Sequence, residues 1–175
     1  MTPRVYLIGF MGSGKTTIGK FLAHDLKWQY VDMDHLFESE KGCSISQYFS
    51  EYGEENFRKE ETLLLERVST IPNAVISTGG GTPCNQHNIE IMKKTGVVVY
   101  INVTPENLSI RLQKAKNGRP LLENKTGEEL TTFIREKLTQ REEFYRQANI
   151  ITDGENVPFS TYRTLIELCP YDEIN

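Results

Sequence analysis

The residues best able to do chemistry lie near the start of the chain. Gly9-Phe10-Met11-Gly12-Ser13-Gly14-Lys15-Thr16 matches G-x-x-x-x-G-K-[ST] in full, after a short apolar run and before an amphipathic one. In that setting successive backbone N–H groups and a helix N-terminus point into one concavity, and glycines let the backbone approach phosphate oxygens closely. Lys15 would reach the β- and γ-phosphates of a nucleotide, and the Thr16 hydroxyl would ligate Mg²⁺. The plain alternative is a glycine turn that merely joins a strand to a helix, and it leaves the Lys-Thr pair unexplained.

Three further groups speak to a second substrate. Asp32-Met33-Asp34 closes the next apolar run, and strand alternation would send both carboxylates to one side. One would face the Mg²⁺ shell and the other accept a hydroxyl proton, unless one of them only caps the following helix. Ser77-Thr78-Gly79-Gly80-Gly81 would offer a bare backbone wall to a substrate, or only a tight turn. Arg58 shares a helical face with Leu65, with Glu61 three residues on to hold the guanidinium. Arg141 interrupts the stripe Leu130, Ile134, Leu138, Tyr145. An inward arginine is either paired structurally or aimed at an anion. Arg119 lies in a polar segment, 115–126, where its charge could be carried over transferring phosphates or simply be solvated.

These groups need a frame that brings their ends together. Near-continuous apolar runs over 5–8, 29–32, 74–77, 97–101 and 149–152 read as strands covered on both faces. Between them lie amphipathic stretches with helix starts near Gly14, Asp34, Ser46, Glu54, Gln86, Pro105, Gly127 and Pro158. That alternation is α/β, and α/β proteins place ligands at the carboxyl edge of the sheet. At 175 residues the chain is the size of one domain. With 20 Lys and Arg against 24 Asp and Glu, the net charge of −4 gives no basic field for nucleic acid or an anionic membrane. Cys43, Cys84 and Cys169 form no CxxC pair, which suits a reduced, cytoplasmic compartment, and no apolar run approaches a membrane span. No targeting segment is expected.

Taken in order, Gly9–Thr16, Asp32 and Asp34, Phe57-Arg58, Gly79-Gly80-Gly81, Arg119-Pro120-Leu121-Leu122 and Arg141 through Tyr145 resemble the shikimate kinases. The resemblance implies a five-stranded parallel sheet in the order 2-3-1-4-5 flanked by helices, a P-loop fold like that of nucleoside monophosphate kinases. It implies one domain over 1–175, with a substrate-binding helical region at about 34–70 and a lid loop at about 115–126. It implies transfer of the ATP γ-phosphoryl to the 3-hydroxyl of shikimate with Mg²⁺, by a monomer. ATP would fall to Gly12, Ser13, Gly14, Lys15, Thr16, Thr17, Arg119 and, more weakly, Arg111, with the 152–158 segment flanking adenine. Shikimate would fall to Asp34, Arg58, Gly79, Gly80, Gly81 and Arg141. Mg²⁺ would fall to Thr16 and Asp32, and catalysis to Asp34, Lys15 and Arg119. Met33 stands where the family often has a hydroxyl residue. A gluconate-type sugar acid kinase, a nucleoside monophosphate kinase and a nucleotide-sensing module are the competing readings.

Overall fold

The protein, a computed structural model, is described over residues 4–114 and 127–169. Five parallel strands form one sheet: β1 (Arg4–Ile8), β2 (Gln29–Asp32), β3 (Ala74–Ser77), β4 (Val97–Asn102) and β5 (Ile150–Asp153), in the order β2-β3-β1-β4-β5. The three inner strands are buried along almost their whole length, whereas the edge strands β2 and β5 mix buried and open positions. Helices cover both faces of an inner strand, so its side chains are apolar in either direction. Register pairs Tyr6 of β1 with Ile76 of β3 and Val98 of β4.

Among the described residues seven helices flank the strands: α1 (Lys15–Leu26), α2 (Met33–Lys41), α3 (Ile45–Val68), α4 (Gln86–Thr95), α5 (Pro105–Lys114), α6 (Gly127–Tyr145) and, after the last strand, α7 (Phe159–Glu167). α1 lies close on the sheet at Gly19, where a Cβ would meet the Tyr30 ring at 2.5 Å and Ser77 Oγ at 2.9 Å. α3 opens with a Ser44–Gln47 capping box and kinks at Gly53, whose φ of 79° interrupts the helix. The two starts expected near Ser46 and Glu54 are therefore the two arms of one kinked helix. Nothing crowds a Cβ at Gly53, so the left-handed backbone alone calls for glycine there.

Because the chain leaves β1 for edge strand β2 and returns through β3, the carboxyl ends of β1, β2 and β3 open onto one crevice. Among the described residues no helix is long and apolar enough to cross a membrane.

Candidate active site

Past Ile8 the backbone turns through Gly9, Gly12 and Gly14, with φ of 140°, 81° and 102°, values that disfavour any side chain. Gly14 precedes α1 with no side-chain cap, which leaves the first N–H groups of the helix to a ligand. Lys15 Nζ folds back to donate to the carbonyls of Gly9 (2.8 Å) and Phe10 (3.0 Å). The cleft above the loop holds about 370 Å³ and is lined by Gly12, Gly14, Lys15, Thr16, Thr17, Asp32, Asp34, Gly80 and Arg111, among others. Ser13 differs from its neighbours: its side chain is buried, and its hydroxyl makes no hydrogen bond among the described residues. Its N–H donates to the Phe10 carbonyl at 3.1 Å, so Ser13 shapes the loop from beneath.

The two aspartates reach the cleft by different routes. Asp32 ends β2 and caps α2, accepting from the His35 N–H at 3.3 Å, while its other oxygen accepts from Thr16 Oγ1 (3.2 Å) and Tyr30 OH (3.0 Å). Asp34 lies in the first turn of α2, so strand alternation does not place it, contrary to the expectation from sequence. A strand-to-helix turn after Asp32 brings both acids to the same cleft, and Met33 between them turns into the core. The Asp34 carboxylate is open to the cleft, where water reaches it, but protein surrounds its other sides. That loss of hydration pushes its pKa up to about 6, with repulsion from Asp32, Glu61 and Glu38 adding to the rise and Lys15 opposing it. A carboxylate so placed can accept a proton near neutral pH.

The Gly79–Gly81 turn is where the acids and the arginines meet. None of its three glycines has a positive φ, so space, not backbone conformation, explains them. A Cβ on Gly79 would stand 2.7 Å from Asp34 Oδ1, on Gly80 3.1 Å from Arg141 Nη1, and on Gly81 2.6 Å from Arg58 Nη1. The first atom met at each glycine thus belongs to a charged side chain from a different helix. Arg58, on α3, donates to Glu61 (2.8 Å) and Glu54 (3.1 Å) and lies 5.2 Å over the Phe57 ring. Arg141, on α6, sits 5.4 Å over Phe10, next along its helix to the buried Leu130, Ile134, Leu138 and Tyr145. Both arginines line a second cavity of about 490 Å³ with Phe10, Met11, Ile45, Phe49 and Phe133. Met11 lines both cavities, so a molecule with an anionic end and a hydroxyl end could lie across the boundary between them.

Three supports hold these residues in place, among them Glu61, which the sequence places beside Arg58 to hold its guanidinium. Tyr145 OH donates to the Gly80 carbonyl at 2.6 Å, tying α6 to the triple-glycine turn. Glu61, 4% exposed, accepts from Thr82 Oγ1 at 2.6 Å as well as from Arg58. Glu155 accepts from the N–H and hydroxyl of Thr104 (2.7 and 2.8 Å) and from Asn107 (2.6 Å), fixing the turn after β5 to the start of α5. The buried hydroxyl at the end of the Arg141 stripe was a signal for Tyr145. Nothing local marks Thr82 or Glu155. Arg111 bridges the same region, donating to the carbonyls of Ser13 and Gly154, each at 3.1 Å. Cys84, beside the turn, has its thiol pushed up to about 11 by burial and stays protonated, unsuited to nucleophilic work. Arg119 and the rest of 115–126 lie outside the described residues.

A parallel sheet in this order, with a glycine loop, Lys15 and Thr16 leaving its central strand, defines a P-loop nucleotide-binding fold. Comparison with known proteins narrows the class. The shikimate kinase family model matches residues 11–167. A shikimate kinase of Parabacteroides distasonis is 44% identical over 154 residues, 88% of this chain and 89% of the relative. A crystal structure of the shikimate kinase from Bacteroides thetaiotaomicron superposes with a TM-score of 0.91 at 39% identity, covering 96% of this chain and all of that one. The Acinetobacter baumannii shikimate kinase, solved in complex with shikimate, superposes at 0.85 with 32% identity, over 100% of this chain and 97% of that one. The chain belongs to the shikimate kinase family and is an ATP-dependent kinase. Of the readings open from sequence, the shikimate kinase stands over the gluconate-type kinase, the nucleoside monophosphate kinase and the sensing module.

Proposed function

We propose that the chain transfers the γ-phosphoryl group of ATP to the 3-hydroxyl of shikimate, with Asp34, Arg58 and Arg141 as the residues that read the acceptor. The observation that carries this reading is the convergence on Gly79–Gly81 of the Asp34 carboxylate and the Arg58 and Arg141 guanidinium groups from three helices. Shikimate carries one carboxylate and a set of ring hydroxyls. Its carboxylate would meet Arg141 and Arg58, the latter held by Glu61 and Glu54 at the wall of the second cavity, as charge-assisted bonds to planar donors favour. Its ring would cross the boundary at Met11 and Gly80, and its 3-hydroxyl would face Asp34. Asp34 then orients that oxygen and accepts its proton as the new P–O bond forms.

On the nucleotide side, loop N–H groups from Gly12 through Thr16 and the α1 N-terminus cradle phosphate oxygens. Lys15, which holds the Gly9 and Phe10 carbonyls, reaches from there toward the transferring group, and Thr17 completes the wall. The Thr16 hydroxyl and the Asp32 carboxylate are 3.2 Å apart, hard oxygen donors of the kind Mg²⁺ accepts. They fit that ion, and they are the residues that would hold it. Among the described residues no cluster of three His, Cys, Asp or Glu side chains forms an all-protein cage, in keeping with an ion shared with phosphates and water. When bound, Mg²⁺ neutralises charge on the phosphate oxygens. Arg111, between the loop and the 153–157 turn, borders the place of the base. Arg119 takes the role the family resemblance implies, a charge directed at the nucleotide.

The chain acts as one kinase domain over 1–175, with 34–70 as its acceptor-binding region, as a monomer in the cytoplasm. An assay with ATP against shikimate, gluconate, AMP and water tests it: only shikimate should yield a phosphorylated product together with ADP. Phosphorylation of gluconate or AMP at a comparable rate, or ADP release with water alone, would overturn it.

A further inference from the structure

Behind the acceptor pocket runs a chain of buried polar groups that the transfer reaction does not itself require. On α4, Asn88 is 2% exposed; it accepts from Thr62 Oγ1 at 3.0 Å and donates through Nδ2 to the Thr82 carbonyl at 2.8 Å. Thr82, fully buried, donates through Oγ1 to Glu61 Oε1 at 2.6 Å. The other Glu61 oxygen accepts from Arg58 Nη1 at 2.8 Å, and only there does the chain reach the pocket. A buried carboxylate needs a partner on each oxygen. Here one oxygen is taken by a neutral hydroxyl and the other by one arm of the arginine.

That division has a geometric consequence. Without a donor at Oε1, Glu61 would be free to rotate and take the Arg58 fork with both oxygens, the arrangement a guanidinium and a carboxylate favour when nothing competes. The planar donors of Arg58 would then turn inward, away from the cavity it lines. Asp34 Oδ1, Glu61 Oε1 and Thr82 Oγ1 gather around Gly79, where a Cβ would stand 2.7, 3.0 and 3.0 Å from them. The Asn88 bond fixes the Thr82 backbone, so the hydroxyl is aimed from a rigid point.

We infer that Thr82 is a positioning residue for acceptor recognition: by occupying Glu61 Oε1 it confines Glu61 to Arg58 Nη1, so that the guanidinium, whose Nη2 is held by Glu54 at 3.1 Å, keeps the side it turns to the cavity available to the acceptor's carboxylate. The inference rests on Arg58 as a ligand of that carboxylate, as proposed above. A purely structural Thr82 would tie α3 to the turn and nothing more. The two accounts differ in which kinetic constant moves and in whether the effect passes through Arg58.

Steady-state kinetics of Thr82→Val, Thr82→Ala and Thr82→Ser, each in the wild-type and Arg58→Lys backgrounds, make the distinction. Valine keeps the volume without the hydroxyl, and alanine supplies a smaller variant if valine strains the site. Both should raise KM for shikimate roughly tenfold, the loss of one hydrogen bond to a charged group. The turnover number and KM for ATP should stay within about twofold, and serine should restore the wild-type value. In the Arg58→Lys background the valine and alanine variants should add nothing further to KM, because the effect is routed through the fork that lysine lacks. The inference is overturned if the folded hydroxyl-free variants keep a normal KM for shikimate, if both KM values rise together, or if the Thr82 and Arg58 effects multiply. An Arg58→Lys enzyme with unchanged KM for shikimate would instead remove the Arg58 reading itself. A damaging Arg58→Lys beside a harmless Thr82→Val would overturn Thr82 alone.

Discussion

The two halves of the site are built on different principles. On the nucleotide side the phosphate cradle comes from one contiguous stretch, 9–17, with Asp32 and Arg111 added from elsewhere, and its working parts are largely backbone: three left-handed glycines, an uncapped helix start and one lysine. The acceptor side draws Asp34 from α2, Arg58 from α3, the glycine turn after β3 and Arg141 from α6, and its working parts are side chains. A backbone cradle recognises any chain of phosphates and tolerates change at most of its x positions. A site made of side chains from separate helices recognises one acceptor, and it needs a second layer to hold each group. Glu61, Tyr145 and Thr82 supply that layer here. Nucleotide binding and acceptor choice are therefore separable, and variants on one side should leave the other largely intact.

The largest expected effect is at the junction of the halves. Asp34→Asn keeps the shape and removes the proton acceptor, so turnover should fall by ~10²–10⁴-fold with nucleotide affinity nearly unchanged, as calorimetry with an ATP analogue would register. Near-normal turnover would break the assignment. Next comes Lys15→Ala, which should lower turnover by about 10²–10³-fold, in the range of a lost transition-state donor, and weaken nucleotide binding whatever acceptor is offered. If ATP affinity and turnover both survive, the cradle is misread.

Smaller effects sharpen the comparison. Arg58→Lys and Arg141→Lys keep the charge but lose the planar fork, so each should weaken shikimate binding by roughly 1–3 kcal/mol while ATP binding and folding stay intact. Loss of ATP affinity instead would move that arginine to the other half. With the Asp34 pKa raised to about 6, kcat/KM for shikimate in the free enzyme should decline as pH drops through that value. Asp34→Asn should flatten this limb of whatever activity remains. The same shift makes a statement about stability. A carboxyl raised above its unfolded value binds its proton more tightly in the folded protein, so its cost to folding is absent below about pH 4 and complete above about pH 6. Asp34→Asn should therefore melt at a higher temperature than the wild type at pH 8, and the gain should vanish near pH 4.

Much of this was legible in the sequence, and what was not shares a physical cause. The strand runs, their flanking helices and the glycine loop depend on local patterning, and all appear within a residue or so of where the pattern puts them. Arg141 was legible because it breaks an apolar stripe, and the charge does stand over Phe10 at the pocket. Asp34 was placed on the right side of the sheet for the wrong reason, since Asp32 ends the strand and caps the helix. The triple glycine reads from sequence as a bare wall for ligand; Gly80 does line the cleft, and the missing Cβ atoms also make room for Asp34, Arg141 and Arg58, which no local pattern announces. Thr82, Tyr145 and Glu155 bond to groups 21, 65 and 51 residues away in sequence, and no local period encodes such partners.

The central claim is that the acceptor is recognised by its carboxylate through Arg58 and Arg141 and is activated separately, at its hydroxyl, by Asp34. It is tested most directly by comparing shikimate with its neutral carboxamide as acceptors for the wild-type enzyme and for Arg141→Lys. The account predicts that the carboxamide raises KM sharply in the wild type, by about 10–100-fold for the loss of a charge-assisted pair, with a much smaller change in kcat. It further predicts that the penalty between the two acceptors shrinks in Arg141→Lys. A wild-type enzyme that uses the carboxamide as well as shikimate, or a penalty that is the same in both proteins, would contradict it.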